Sequence, residues 1–483
     1  MKYHSTRNNN DLFSPSEAVL QGLAPDGGLF VPQELPKVDF ATWIGLDYQT
    51  IAKRIFKIFF SDLSDQIIAE IVSAAYGDNF DDPQIVPVHL IDDQIGFLEL
   101  WHGPTLAFKD LALQFLPHLM QAAKKQLHFE QDILILTATS GDTGKAAMEG
   151  FAGVEHFKVI VFYPHNGVSS FQKRQMLCRD YDNVRAIALR GDFDDCQRGV
   201  KQLFSDQEFA GEAATAGYAL SSANSINIGR LIPQMIYYIN SYLQMVTANC
   251  LSYGEPISIV VPTGNFGNIL AACYAKAMGL PLGRIHLAAN QNNVLADFLQ
   301  TGIYDSNRPL VKTSSPSMDI LVASNLERYL YLKKPDSEWL KSLMRDLNVS
   351  GKFQIDPEIL DLTASWTDEN ETSIAINQVY QSYEYLIDPH TAVAYSAIAK
   401  AGLTGLTLVA STASPYKFME KILSSLDKEI PPDDRQSIET IAELSGQGIP
   451  QTVSKLWRLP QDKEIVISAD QMAKAIFDNI KRK

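Results

Sequence analysis

Apolar residues recur along this chain with two different periods, and the change from one to the other sets the expected architecture. From about 48 to 76 the spacing is helical, with Ile51, Ile55, Ile58 and Phe59 followed by Ile67, Ile68, Ile71 and Val72. After a polar, proline-punctuated stretch from Asp78 to Pro87, short unbroken apolar runs take over, as in strands buried on both faces. The runs 133–137, 159–163, 184–189, 218–221, 257–261, 284–288 and 406–410 are the expected strands. Helical patterns near 145–152, 226–246 and 268–278 fall between them. Such alternation implies mostly parallel sheets with helices on both faces.

The pattern also suggests boundaries. Residues 1–85 read as a small α-rich N-terminal module, opened by a tight Pro25-Asp26-Gly27-Gly28 turn between short extended pieces. Residues 86–299 and 381–425 carry the α/β pattern, in two subdomains of which the smaller spans about 130–222. Residues 300–380 are less regular and rich in Ser, Asn and Asp, and are expected to be inserted or peripheral; 426–483 is charged and expected to cap the fold.

Composition narrows the partners. The chain has 483 residues, 46% apolar and 20% charged, with a net charge of −15. An acidic balance argues against nucleic acid, whose phosphates demand a basic face. It leaves room for a small phosphorylated ligand held by a few local cations and backbone N–H groups. Cys178, Cys196, Cys250 and Cys273 are widely spaced and read as free thiols of a reducing compartment. The opening residues lack an apolar core and no stretch approaches 18 apolar residues, so neither a secretory signal nor a membrane span is expected, and the expected location is cytoplasmic. The nine histidines show no metal-binding spacing.

Four loops at strand ends and one lysine hold the candidate chemistry. Lys109 follows the aromatic and apolar run Trp101-His102-Gly103-Pro104-Thr105-Leu106-Ala107-Phe108 and precedes Asp110 and an amphipathic segment. Such a lysine is either a snorkelling surface residue or an amine held in a dry pocket. Gly264-Asn265-Phe266-Gly267-Asn268 joins a strand to a helix, where N–H groups and the helix dipole suit an anion. It lacks the spacing of a dinucleotide fingerprint. Thr139-Ser140-Gly141-Asp142-Thr143-Gly144-Lys145 fails the spacing of a nucleotide-triphosphate loop but offers hydroxyls at a sheet edge, or simply a helix cap. Asn224, Ser225 and Arg230 open another helix, and Arg230 suits either a phosphate or a surface ion pair. The strand before Ser411-Thr412 ends likewise in hydroxyls.

Taken in order, APDGGLFVP, GPTLAFKD, TSGDTGKAA, NSINIGR, PTGNFGN and ASTASPYKF resemble threonine synthases, pyridoxal-phosphate enzymes of the tryptophan-synthase-β fold type (fold type II), in their longer, N-terminally extended branch. The resemblance covers nearly the whole chain. It implies two open, mostly parallel sheets flanked by helices, pyridoxal 5'-phosphate as cofactor, and conversion of O-phospho-L-homoserine and water to L-threonine and phosphate. It implies a carbon–oxygen lyase acting on phosphate, working as a monomer or homodimer without nucleic-acid or membrane partners. Lys109 would carry the cofactor and shuttle protons; Gly264, Asn265, Phe266, Gly267 and Asn268 would cradle the cofactor phosphate, and Thr412 would face the ring nitrogen. Ser140, Gly141, Asp142 and Thr143 would line the substrate end, and Asn224, Ser225 and Arg230 would bind the substrate phosphate. Asp142 departs from the wider fold type, where many relatives carry an Asn that donates to the cofactor; a carboxylate donates only when protonated. The rival readings are a sister enzyme, such as a serine or threonine dehydratase or a β-replacing synthase, and a catalytically silent ligand-binding relative.

Overall fold

Two open sheets organise the computed structural model, which describes residues 1–139, 141–178 and 181–480, without the side chain of Asp194. The larger runs Thr363–Trp366, Leu282–Ala289, Ile257–Pro262, Thr407–Ser411, Ile95–Glu99 and Val88–Leu90, in that spatial order. Every neighbouring pair is parallel except the last, which is antiparallel. The smaller sheet runs Val466–Ile467, Val184–Leu189, Phe157–Pro164, Asp132–Ala138 and Tyr218–Ser221, all parallel. Along Ile257–Pro262 the consecutive residues Ile259, Val260 and Val261, which point alternately to the two faces, are all at most 1% exposed, so the larger sheet is covered on both sides there.

The expected strands are all present, most with an extra residue or two at their ends. Local chemistry moves two helix boundaries. The helix near 145–152 starts earlier, as Asp142–Phe151, because Gly141 turns the chain at φ 141°. The helical pattern from 48 to 76 divides into Tyr48–Phe59 and Asp65–Ala75, since the Ser64 hydroxyl accepts from Ile67 N–H and starts the second helix afresh. Helices Pro15–Gln21, Tyr48–Phe59 and Asp65–Ala75 share the N-terminal region with an antiparallel sheet of Asn8–Phe13, Tyr3–Ser5 and Phe30–Pro32. Its tight turn depends on Gly28, where a Cβ would fall 2.2 Å from Ser5 Oγ.

The segment 300–380, expected to be inserted or peripheral, differs from that reading. Thr363–Trp366 forms an edge of the larger sheet, beside Leu282–Ala289. Residues 315–328 reach the strand-end loops, with Asn325 bonded to Asn265 and Ser225. A short polar strand and irregular loops carry no apolar run, which is why periodicity did not reveal them. Within 426–483, Ile438, Ile441, Val453 and Leu456 pack against the larger sheet's side, whereas Ile467, Met472, Ile476 and Ile480 join the core of the smaller sheet. No helix among the described residues is long and apolar enough to cross a membrane.

Candidate active site

Lys109 sits at the start of the short helix Asp110–Leu113 and is 9% exposed, so the dry-pocket alternative holds. Its Nζ donates to Ser317 Oγ at 3.1 Å and lies 3.8 Å from Asp142 Oδ2. Burial lowers its pKa to about 8; the nearby Asp142 carboxylate opposes the shift, while Arg230 and Lys417 add to it. The next residue fixes the backbone at this point. Asp110 accepts from Thr105 N–H at 2.8 Å and from Thr105 Oγ1 at 2.6 Å, and burial raises its pKa to about 6 despite those bonds.

Asp142 comes from the smaller sheet's side, at the first turn of Asp142–Phe151, and its carboxylate is held by groups from elsewhere. Lys417 Nζ lies 3.0 Å from Oδ1, Gln172 Nε2 donates to Oδ1 at 3.1 Å, and Ser317 Oγ donates to Oδ2 at 3.3 Å. Burial alone would raise the Asp142 pKa, but Lys417 and then Lys109 outweigh it and hold the group well below the usual carboxylate range. It is therefore an acceptor at neutral pH, as a carboxylate at this position implies. The Lys417 side chain is fully buried and also donates to Thr105 O at 2.8 Å and Gln175 Oε1 at 3.2 Å. Ser317 is set in turn by His390, whose Nε2 accepts from Ser317 N–H at 3.3 Å while Nδ1 meets Asp388 Oδ2 at 2.6 Å. Those two contacts place the imidazole proton on Nδ1.

The Gly264–Asn268 turn lies against the same serine. A Cβ on Gly264 would fall 2.4 Å from Ser317 O, so only glycine permits this approach. Phe266 adopts φ 64° and ends the turn, and helix Gly267–Ala277 begins there without a capping side chain. Asn268 Oδ1 accepts from the Tyr237 and Tyr238 hydroxyls at 2.6 and 2.5 Å, while its buried Nδ2 has no protein partner. Uncapped helix N–H groups, a glycine-only approach and an orphaned amide donor fit a phosphate group.

Arg230 is 3% exposed, which removes the surface ion pair as an alternative. Its Nη1 donates to Ala223 O at 2.9 Å, its Nε has no partner, and burial lowers its pKa to about 10. Asn224 Oδ1 accepts from Thr137 Oγ1 at 2.8 Å, so this loop abuts the end of the strand that leads to Asp142. Ser225 Oγ meets Ser324 Oγ at 3.2 Å. Thr412 is 5% exposed, and its carbonyl accepts from Phe108 N–H at 2.9 Å, which sets it directly beside Lys109. Gly141 donates its N–H to Thr139 Oγ1 at 3.0 Å, Thr143 is half-buried in the first turn of the helix, and Ser140 lies outside the described residues.

The structure thus gathers Lys109, Asp142, Arg230, Thr412 and the Gly264–Asn268 turn, and adds residues that sequence reasoning missed: Lys417, Ser317, His390, Asp388, Gln172, Ser324 and Asn325. Lys417 lies inside ASTASPYKF, a motif already noted, whereas Ser317 and Asn325 come from the irregular segment, where no pattern marked them.

Comparison with known proteins shows the family of the chain. Residues 2–76 match the model of the threonine synthase N terminus, and residues 89–410 match that of the pyridoxal-phosphate dependent enzymes. The chain is 42% identical to human threonine synthase-like 1 over 86% of its own length but only 58% of that protein's. It is 34% identical to Saccharomyces cerevisiae threonine synthase, covering 91% of this chain and 93% of the yeast protein. In three dimensions it resembles pyridoxal-phosphate-bound threonine synthase from Brucella melitensis (TM-score 0.88, 32% identity, all of both chains). Threonine synthase from Escherichia coli gives a TM-score of 0.79 at 30% identity, over 99% of this chain and all of that one. The cofactor is pyridoxal phosphate, and the chain belongs to the threonine synthase family of pyridoxal-phosphate-dependent enzymes.

Proposed function

We propose that the protein converts O-phospho-L-homoserine and water to L-threonine and phosphate, by γ-elimination followed by addition of water at the β-carbon. The observation that carries this reading is one buried amine, Lys109, flanked by two separate sets of anion-binding groups. One is the Gly264–Asn268 turn, suited to the cofactor phosphate; the other is Asn224, Ser225 and Arg230, available to a phosphate on the substrate.

When bound, the cofactor withdraws electron density from the substrate's α- and β-carbons. The remaining tasks fall to this chain. Lys109, with a pKa near 8, exchanges protons near neutral pH, first taking one from carbon and later returning it. Asp142 stays anionic beside Lys417 and keeps a negative charge facing the lysine in its protonated form. Arg230 and the Ser225 hydroxyl meet the γ-phosphate as it departs, where charge builds up. Thr412, a hydroxyl rather than a carboxylate, would hold the ring nitrogen as a neutral partner and so would not favour its protonation.

Phosphate release from O-phosphohomoserine, measured with the visible absorbance of the cofactor, tests the proposal. The wild-type protein should release phosphate and form threonine, and Lys109→Ala should lose both turnover and the visible band. Turnover that survives in Lys109→Ala, or a wild-type protein that consumes free threonine or serine instead, would contradict it. The second outcome is the sister-enzyme reading, and the threonine synthase-like names of several relatives make that comparison informative.

A further inference from the structure

Three helices begin at one place. Ile228–Thr247, Gly267–Ala277 and Leu326–Lys333 start just after Asn227, Phe266 and Asn325, and hydrogen bonds join their leading segments. Asn325 Nδ2 donates to both Ser225 O and Asn265 O at 3.1 Å, and Asn325 N–H donates to Asn265 O at 3.1 Å. From behind, the fully buried Arg328 binds Asn325 Oδ1 at 2.7 Å, Ile226 O at 2.6 Å and Phe30 O at 2.9 Å. The segment carrying Ser324 is therefore fixed against both loops.

The front of this junction is polar and loosely bonded. The Ser324 hydroxyl lies 3.2 Å from Ser225 Oγ and 3.3 Å from Asn265 Oδ1. These are long for hydroxyl hydrogen bonds, which cluster near about 2.7–2.8 Å, so a stronger acceptor would displace them readily. The buried Arg230 Nε, one turn into the third helix, has no partner. A weakly bonded hydroxyl beside Ser225 and an orphaned guanidinium donor on the adjoining helix both favour an anion.

We infer that Ser324 is a binding residue for the substrate's phosphate, completing the group of Asn224, Ser225 and Arg230 from the segment 300–380. The inference rests on the proposed function for the identity of the substrate, but the phosphate it binds is tested separately. On arrival of the phosphate, Ser324 rotates its proton from Asn265 Oδ1 to a phosphate oxygen; no covalent bond is made or broken.

The test compares Ser324→Ala and Ser324→Thr with the wild-type holoenzyme. Calorimetric titration with inorganic phosphate should show binding weakened about tenfold in Ser324→Ala, the effect of losing one hydrogen bond to a charged group, and largely kept in Ser324→Thr. The kcat/KM for O-phosphohomoserine should fall by at least a similar factor, as expected for loss of a contact to the phosphate that is kept as it departs. The affinity of the apoprotein for pyridoxal phosphate should not change. Unaltered phosphate affinity in Ser324→Ala would overturn the inference, and so would weakened cofactor binding with phosphate affinity intact, which would assign the hydroxyl to the cofactor. If the wild-type protein does not act on O-phosphohomoserine, the proposed function fails while the phosphate titration still decides the role of Ser324.

Discussion

Lys109 is set apart from other lysines of this chain by the balance of charge around it. Burial lowers its pKa to about 8, and Lys417, close enough to bind the same Asp142, both repels it and neutralises its counter-ion. Lys417→Met removes the repulsion and leaves Asp142 to Lys109 alone, so both effects raise the Lys109 pKa. The wild-type rate of cofactor uptake by the apoprotein should rise with pH and level off above about 8, and in Lys417→Met that inflection should move to higher pH. An inflection that stays in place would show the two lysines to be independent. The variant should also lose stability by about 3–5 kcal/mol, the usual effect of leaving a buried charge without its partner. Lys109 was legible in the sequence through the motifs around it. The role of Lys417 was not, although it stands in one of those motifs, because an ion pair between distant segments leaves no trace in local periodicity. Arg230 was singled out in the sequence, but only its burial removed the surface ion pair as a reading.

At the scale of single elements, the strand ends and helix starts followed from apolar runs, glycines and hydroxyls, and the loops they join hold the site. Elements without an apolar run stayed hidden. Ile95–Glu99, broken by Gly96 and ended by a glutamate, has no unbroken apolar run, and Thr363–Trp366 is too polar to stand out, yet both lie in the larger sheet. Ile95–Glu99 has a consequence of its own, since it delivers Glu99 to His102. His102 Nε2 meets Glu99 Oε2 at 2.7 Å and Nδ1 meets Asp81 Oδ1 at 2.6 Å, beside a cavity of about 430 Å³ that Trp101 and Tyr385 also line. Burial disfavours the charged imidazole, but the two carboxylates outweigh it and raise the pKa from 6.5 to about 9. A histidine with a raised folded-state pKa contributes stability that is complete below its unfolded value and is lost as pH rises through the folded one. His102→Gln should therefore be less stable than wild type at pH 6, with the gap in melting temperature closing as pH rises from about 6.5 past 9. A gap that is constant across that range would mean that His102 contributes by shape rather than charge.

For the molecule as a whole, the alternation of strand and helix made parallel sheet flanked by helices legible and the family resemblance implied its division in two, while the path of the termini was legible in neither. The chain's last described strand, Val466–Ile467, crosses to the smaller sheet and pairs with Val184–Leu189, and helix Met472–Ile480 follows it. Ile467, Met472, Ile476 and Ile480 are each at most 9% exposed in that core. At about 1.5–3 kcal/mol for each buried apolar side chain, their loss rivals the total stability of an ordinary domain. A chain ending at residue 462 should accordingly lose amide-exchange protection throughout 132–221 and keep it in 257–289 and 407–411. Uniform protection would show that the C-terminal segment is an accessory to the smaller sheet.

Asp142 gives this two-part construction a further property. Its backbone moves with the smaller sheet, yet its oxygens are held by Lys417 and Ser317 from the larger sheet's side. Parting the halves would strand a carboxylate and an ammonium that have surrendered their hydration, so this one buried pair resists separation of the two sheets.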